Sequence, residues 1–128
     1  MKKGLFVLVV LFPFLLSLDS SVYNSSYYAK YQSPDGILFL SYSNYWDENK
    51  LEMLYNELLE NKHGEEIDLL QEVRVKGESL DNTPTRGSFH ALTNTITLYQ
   101  GDTYQNPSDY TETLSHEYGH HFSYYHFK

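Results

Sequence analysis

Residues 109–128 read DYTETLSHEYGHHFSYYHFK, and their polar and apolar side chains separate onto two faces of a helix. Asp109, followed three residues later by Glu112, matches a capping box and predicts a helix that begins near Ser108 or Asp109. One face of this helix is therefore predicted to enter a hydrophobic core. It carries Tyr110, Leu114, Tyr118, His121, Phe122 and Tyr125.

The opposite face carries His116 and His120, the two ends of the motif His116-Glu117-Tyr118-Gly119-His120, and Glu117 lies on the flank of that face. Two histidines one turn apart place their ring nitrogens where a single tetrahedral Zn²⁺ can bind both. Glu117 follows the first histidine, so it can act as the general base that takes a proton from a water on the metal. The chain contains no cysteine, so any metal site must use histidine or carboxylate ligands. The pattern predicts a zinc site with Glu117 as its catalytic residue.

The stretch from Thr113 to Phe122 resembles the active-site helix of the zincin metallopeptidases, the HExxH class. The resemblance implies a zinc metalloendopeptidase that hydrolyses peptide or protein substrates. Residues 88–99 resemble the edge strand that precedes this helix in the family. This implies a substrate-binding edge strand made of Thr95, Ile96, Thr97, Leu98 and Tyr99. Gly119 also fits the family pattern, and a glycine within a helix predicts close packing of a neighbour.

A catalytic zinc site of this kind needs a third protein ligand, and the sequence leaves its identity open. In the gluzincin branch a glutamate on a later helix supplies it. The sequence ends at Lys128, so we expect a gluzincin-like protein that lacks its C-terminal half and is weakly active or inactive. In the metzincin branch a third histidine follows a glycine turn, and His126 has that spacing, with Ser123 in place of the glycine. The alternative is therefore a complete, minimal metzincin-like peptidase with His126 as its third zinc ligand. If the helix continues, His126 points about 80° away from His116.

A third hypothesis is a noncatalytic secreted binding module with an aromatic surface, because the chain has 13 tyrosines and 7 phenylalanines. The formal net charge of −8 argues against binding to the phosphate backbone of nucleic acids. Among the other histidines, we expect a structural role for His63 at a helix end, packing for His121 and a groove-lining position for His90.

The residues ahead of the last helix predict one α+β domain over 36–128, with a small mixed or antiparallel sheet. By resemblance, this would be the N-terminal half of a zincin catalytic domain. The predicted elements are a buried strand at 37–42, an amphipathic helix at 47–62, a strand within 67–76, a loop at 77–87, a short strand at 88–92 and a half-exposed strand at 95–99.

The first 18 residues have the layout of a secretory signal peptide: Lys2 and Lys3 precede a short apolar run and small polar residues. An uncleaved N-terminal anchor is the alternative, although the run is short for a membrane span. Residues 22–35 are predicted to be an extended linker that ends in a turn at 34–36, and Asn24 begins a glycosylation acceptor pattern. We therefore expect a secreted or extracytoplasmic protein, with membrane anchoring through this segment as the alternative.

Overall fold

The protein is described by a computed structural model that covers residues 27–61 and 63–127. Five strands in this part of the chain form one mixed sheet in the order β1-β2-β3-β5-β4. The central pairs β2–β3 and β3–β5 are parallel, and the outer pairs β1–β2 and β4–β5 are antiparallel. The strands are β1 (Ala29–Gln32), β2 (Leu38–Ser41), β3 (Glu72–Val75), β4 (Gly87–His90) and β5 (Thr95–Leu98).

Two α-helices pack against this sheet. Helix α1 (Glu48–Leu59) begins at Asp47, whose side chain accepts a hydrogen bond of 2.9 Å from the backbone amide of Lys50. It contacts β1 and β2, while helix α2 (Thr111–Phe127) contacts β4 and β5. The predicted amphipathic helix at 47–62 is confirmed, since the buried residues of α1 share one face: Leu51, Leu54, Tyr55 and Leu58.

The hydrophobic core lies between the helices and the sheet. Alternate strand residues point into it because successive side chains of a strand face opposite sides. These residues, all fully buried, are Phe39, Val73, Val75, Ile96 and Leu98. The mixed sheet and the two helices packed against it confirm the predicted α+β class.

Short 3₁₀ helices lead into β3 and into α2. The first spans Glu65–Leu69 and the second spans Pro107–Tyr110. The predicted capping box at Asp109 and Glu112 is wrong: the box joins Asn106 and Asp109, one 3₁₀ turn earlier. The start of the C-terminal helical segment therefore moves back to Pro107, where the fixed φ of proline suits a first helical turn.

The predicted linker at 22–35 is wrong in its second half, because Ala29–Gln32 form β1 and pair with β2. The turn that follows is confirmed, and Gly36 has the positive φ of 85° that this turn requires. The signal peptide or anchor at 1–18 and the glycosylation pattern at 24–26 lie outside the described residues. Within 27–61 and 63–127, no helix has the length and apolar character needed to cross a membrane.

Candidate zinc-binding and active site

Helix α2 is held in place by its buried face. Leu114, Tyr118 and His121 are at most 2% exposed, as the helical pattern predicts. Phe122 departs from the prediction, since it is 37% exposed. Glu117 is buried instead, at 7% exposure, so the buried face of α2 extends further towards His116 and His120 than the pattern predicted.

One residue outside the helix, Glu66, binds several side chains of α2. Its carboxylate accepts hydrogen bonds from the Tyr118 hydroxyl at 2.6 Å and from the backbone amide of Gly64 at 2.7 Å. Its backbone carbonyl lies 2.6 Å from Nε2 of His121. A single buried residue therefore sets how α2 is rotated against the 3₁₀ helix Glu65–Leu69.

The hydrogen bonds that Glu66 accepts favour its ionised form over the carboxylic acid. Burial alone would raise its pKa, but hydrogen bonds from Tyr118, the backbone amides of Gly64 and Glu66, and His126 outweigh burial and lower the pKa to about 2. Burial raises the pKa of Tyr118, and its hydrogen bond to Glu66 raises it further. Tyr118 therefore remains a protonated donor at neutral pH.

The two histidines of the motif point the same way on the exposed side of α2. Their Nε2 atoms are 3.3 Å apart, and their rings are nearly perpendicular, with an interplanar angle of 88°. Two nitrogens that each lie about 2.0–2.1 Å from a tetrahedral zinc ion are separated by about 3.3 Å. The spacing of His116 and His120 therefore fits two adjacent positions of a zinc coordination shell.

Glu117 follows His116 in the helix, and its side chain is buried against the sheet. It packs against β4, where a Cβ added to Gly87 would come within 3.2 Å of the Cγ of Glu117 and 2.5 Å of Thr113. The absence of a side chain at Gly87 is what lets the helix approach the strand this closely. This contact places the carboxylate-bearing side chain beside β4.

His126 contacts Glu66 and not the histidine pair. Helix α2 continues through it to Phe127, and its Nε2 lies 3.3 Å from Oε1 of Glu66. A continuous helix turns His126 away from the pair, so it does not join His116 and His120. In the part of the chain that the structure describes, no three histidine, cysteine, aspartate or glutamate residues are grouped so that they could hold a metal ion.

The predicted substrate-binding edge strand, residues 95–99, does not lie at an edge of the sheet. β5 lies between β3 and β4 and pairs with both, so its backbone groups are already bonded. Ile96 and Leu98 point into the core, while Thr95, Thr97 and Tyr99 line a shallow depression of about 300 Å³ on the sheet face away from the helices. The strand at the sheet edge, next to α2, is β4, which the predicted short strand at 88–92 largely covers.

The other histidines lie away from the pair. His121 is 1% exposed, which confirms the packing prediction, and its ring contacts Phe89 at 5.6 Å between centroids. His90 is exposed and lines the depression on the far sheet face. His63 is exposed and borders a groove of about 720 Å³ beside Glu66 and His126.

The prediction that Gly119 accommodates a closely packed neighbour is wrong. Among the described residues, nothing outside the adjacent turns of the helix backbone lies within 4 Å of a Cβ placed there, and the position is exposed. The helix packs closely against Gly87 of β4 instead.

This contrast gives a matched pair of substitutions. Gly119→Ala should stabilise the protein by about 0.5–1 kcal/mol, since alanine is the better residue in a helix. Gly87→Ala should destabilise it by about 1–3 kcal/mol, because the new methyl group meets Thr113 and Glu117. Urea unfolding of both variants measures the two effects. If the Gly87→Ala variant were as stable as the wild type, the strand and the helix would not be in contact at this point.

Sequence reasoning missed Glu66 and Gly87. Glu66 sits among several acidic residues of similar appearance, and only its burial distinguishes it. Gly87 has no local signal either, since its role depends on a helix 26 residues later in the chain, at Thr113.

The sequence matches no protein-family model, no curated protein and no solved structure.

Proposed function

We propose that this chain is an exported zinc-dependent peptidase-like protein in which His116 and His120 bind the metal and Glu117 is the general base. The observation that supports it best is the 3.3 Å separation of the two Nε2 atoms on the exposed side of α2. The two Nε2 atoms lie within hydrogen-bonding distance of each other, and two ligands of one tetrahedral zinc ion need the same separation. The resemblance of the motif to the zincin active-site helix supports the same assignment.

In this proposal the residues of the chain have separate tasks. Bound Zn²⁺ would supply Lewis-acid polarisation of a peptide carbonyl and of water. Glu117, next to the pair, would accept a proton from the attacking water and pass it to the leaving amine. Its position against Gly87 would hold it at one distance from the metal ligands.

The substrate would lie along β4. This strand pairs with β5 on one side, and its other side has no partner strand among the described residues. An extended peptide can bind such an edge by adding one more strand. β4 also contacts α2, so a peptide on that edge would pass beside Glu117. The fold would then correspond to the N-terminal half of a zincin catalytic domain.

Two histidines fill only half of a tetrahedral shell, and a third ligand would come from outside the described residues. Zinc affinity should therefore be weaker than that of a site with three protein ligands, and turnover should be slow. His126 is not assigned as that ligand because α2 directs it to Glu66.

A zinc titration of the full chain by calorimetry at neutral pH tests the metal site. His116→Ala should weaken zinc binding by at least about 10-fold, because it removes one of two ligands. His90→Ala is the matched control, since His90 is equally a histidine on the surface but lies on the far sheet face. Equal affinity of the wild type and His116→Ala would contradict the proposed site.

Cleavage of an unstructured protein such as casein tests the catalytic assignment. Glu117→Gln should leave zinc affinity within about twofold while lowering cleavage by about 10²–10⁴-fold, the usual contribution of a general base. Zinc binding without any cleavage by the wild type would retain the metal site and reject the peptidase function.

A further inference from the structure

The histidine pair is an incomplete metal site on an open surface. His116 and His120 are both exposed, and the described residues supply no third ligand. Zinc in proteins is almost always four-coordinate, so two positions remain to be filled. A second identical pair, presented by another molecule, would fill them with the same 3.3 Å spacing.

The surface around the pair continues along α2. Ser123 and Phe127 follow His120 by three and seven residues, so they lie on the same side of the helix as the pair. Both are exposed, and Phe127 is 78% exposed despite being aromatic. This side of α2, defined by His116, His120, Ser123 and Phe127, is exposed at all four residues and is suited to packing against another helix.

A two-fold axis through a metal ion would bring together two copies of this surface. Such an interface is isologous, so each copy contributes the same residues. The metal is needed to hold it, because each chain carries a formal charge of −8 and two copies repel. Without metal, the association should therefore be weak.

We propose that this chain forms a zinc-bridged homodimer in which His116 and His120 of two copies complete one tetrahedral site. The proposal rests on the metal site proposed above. Four imidazole ligands leave no coordination position for water or substrate, so the dimer is a catalytically silent form of the protein. Association therefore regulates the same site that would carry the activity, and it depends on the ratio of zinc to protein.

That dependence gives the proposal a distinctive signature. One zinc ion per two chains completes the bridged site, whereas excess zinc supplies each pair with its own ion and separates the copies. The dimer should therefore be most populated at half an equivalent of zinc and decline at several equivalents. A dimer held together by apolar contacts alone would show no such maximum.

Sedimentation velocity on the metal-free full chain, at about 100 µM and neutral pH with 0, 0.5 and 5 equivalents of zinc chloride, tests the proposal. The mass should rise from 15.0 kDa to twice that value at 0.5 equivalent and return towards the monomer at 5 equivalents. His120→Ala should remain monomeric throughout, and His90→Ala should behave as the wild type.

The outcomes separate this proposal from the proposed function. One-to-one zinc binding by a monomer at every ratio overturns the dimer and leaves the metal site intact. A dimer that forms without zinc, or that persists in His120→Ala, also overturns it, because the pair would not be the link. No zinc binding at all rejects both the dimer and the site.

Discussion

Glu66→Ala is expected to destabilise the protein by about 3–4 kcal/mol, one of the largest effects of a single polar substitution in this chain. Hydrogen bonds to a buried charged group contribute about 1.5–3 kcal/mol each, and Glu66 receives them from Tyr118 and from the backbone of Gly64. Alanine would also leave the buried Tyr118 hydroxyl without its acceptor. Urea unfolding followed by far-UV circular dichroism measures the loss.

Glu65→Ala is the matched control for this substitution. Glu65 is the neighbouring acidic residue, but it is exposed and receives only a 3.4 Å contact from the Tyr125 hydroxyl. Its replacement should change stability by no more than about 0.5 kcal/mol. Equal effects of the two substitutions would mean that Glu66 does not hold α2.

The free energy of unfolding at low pH should depend on the ionisation of the Glu66 carboxylate. The pKa of Glu66 falls from 4.5 to about 2 on folding, so below pH 4.5 the unfolded chain binds this proton more readily than the folded protein does. The contribution of Glu66 is therefore complete above pH 4.5 and is lost as the pH falls towards 2. The shift corresponds to about 3 kcal/mol. Glu66→Gln should remove this part of the pH dependence, and an unchanged slope between pH 4.5 and 2 would contradict the assignment.

Trp46→Ala is expected to cost about 3–5 kcal/mol, as truncation of a large buried aromatic usually does. Trp46 is fully buried, and its indole nitrogen donates to the backbone carbonyls of Gly101 and Tyr104, each at 3.1 Å. Its ring packs against Tyr110 at 5.6 Å between centroids. The substitution would therefore loosen residues 101–110, the segment that leads into α2.

Trp46→Ala should also weaken the proposed zinc binding, because it destabilises the fold that holds α2. The pair has its spacing only while α2 is helical, and helices in proteins owe most of their stability to tertiary packing. Tyr45→Ala is the control, because Tyr45 is the adjacent aromatic residue but is 48% exposed. Far-UV circular dichroism gives the stability of both variants. A Trp46→Ala protein as stable as Tyr45→Ala would show that this contact does not anchor the segment.

The sequence by itself determined the local features of this protein. The amphipathic pattern of α1 and the convergence of His116 and His120 both depend on residues within a few positions of one another. The geometry of a helix sets these relations, so spacing in the sequence is enough to predict them. The α+β class followed in the same way from the order of the elements.

The tertiary structure decided what surrounds the pair. β4 rather than β5 lies at the sheet edge, because strand order depends on pairings between segments distant in the chain. Glu66 meets Tyr118 and His126 across 52 and 60 residues, and no local pattern marks such contacts. His126 had the spacing of a third ligand, but a continuous helix and a buried carboxylate placed it elsewhere. Local periodicity fixes which side chains share a helix face, whereas only long-range packing determines what that face meets.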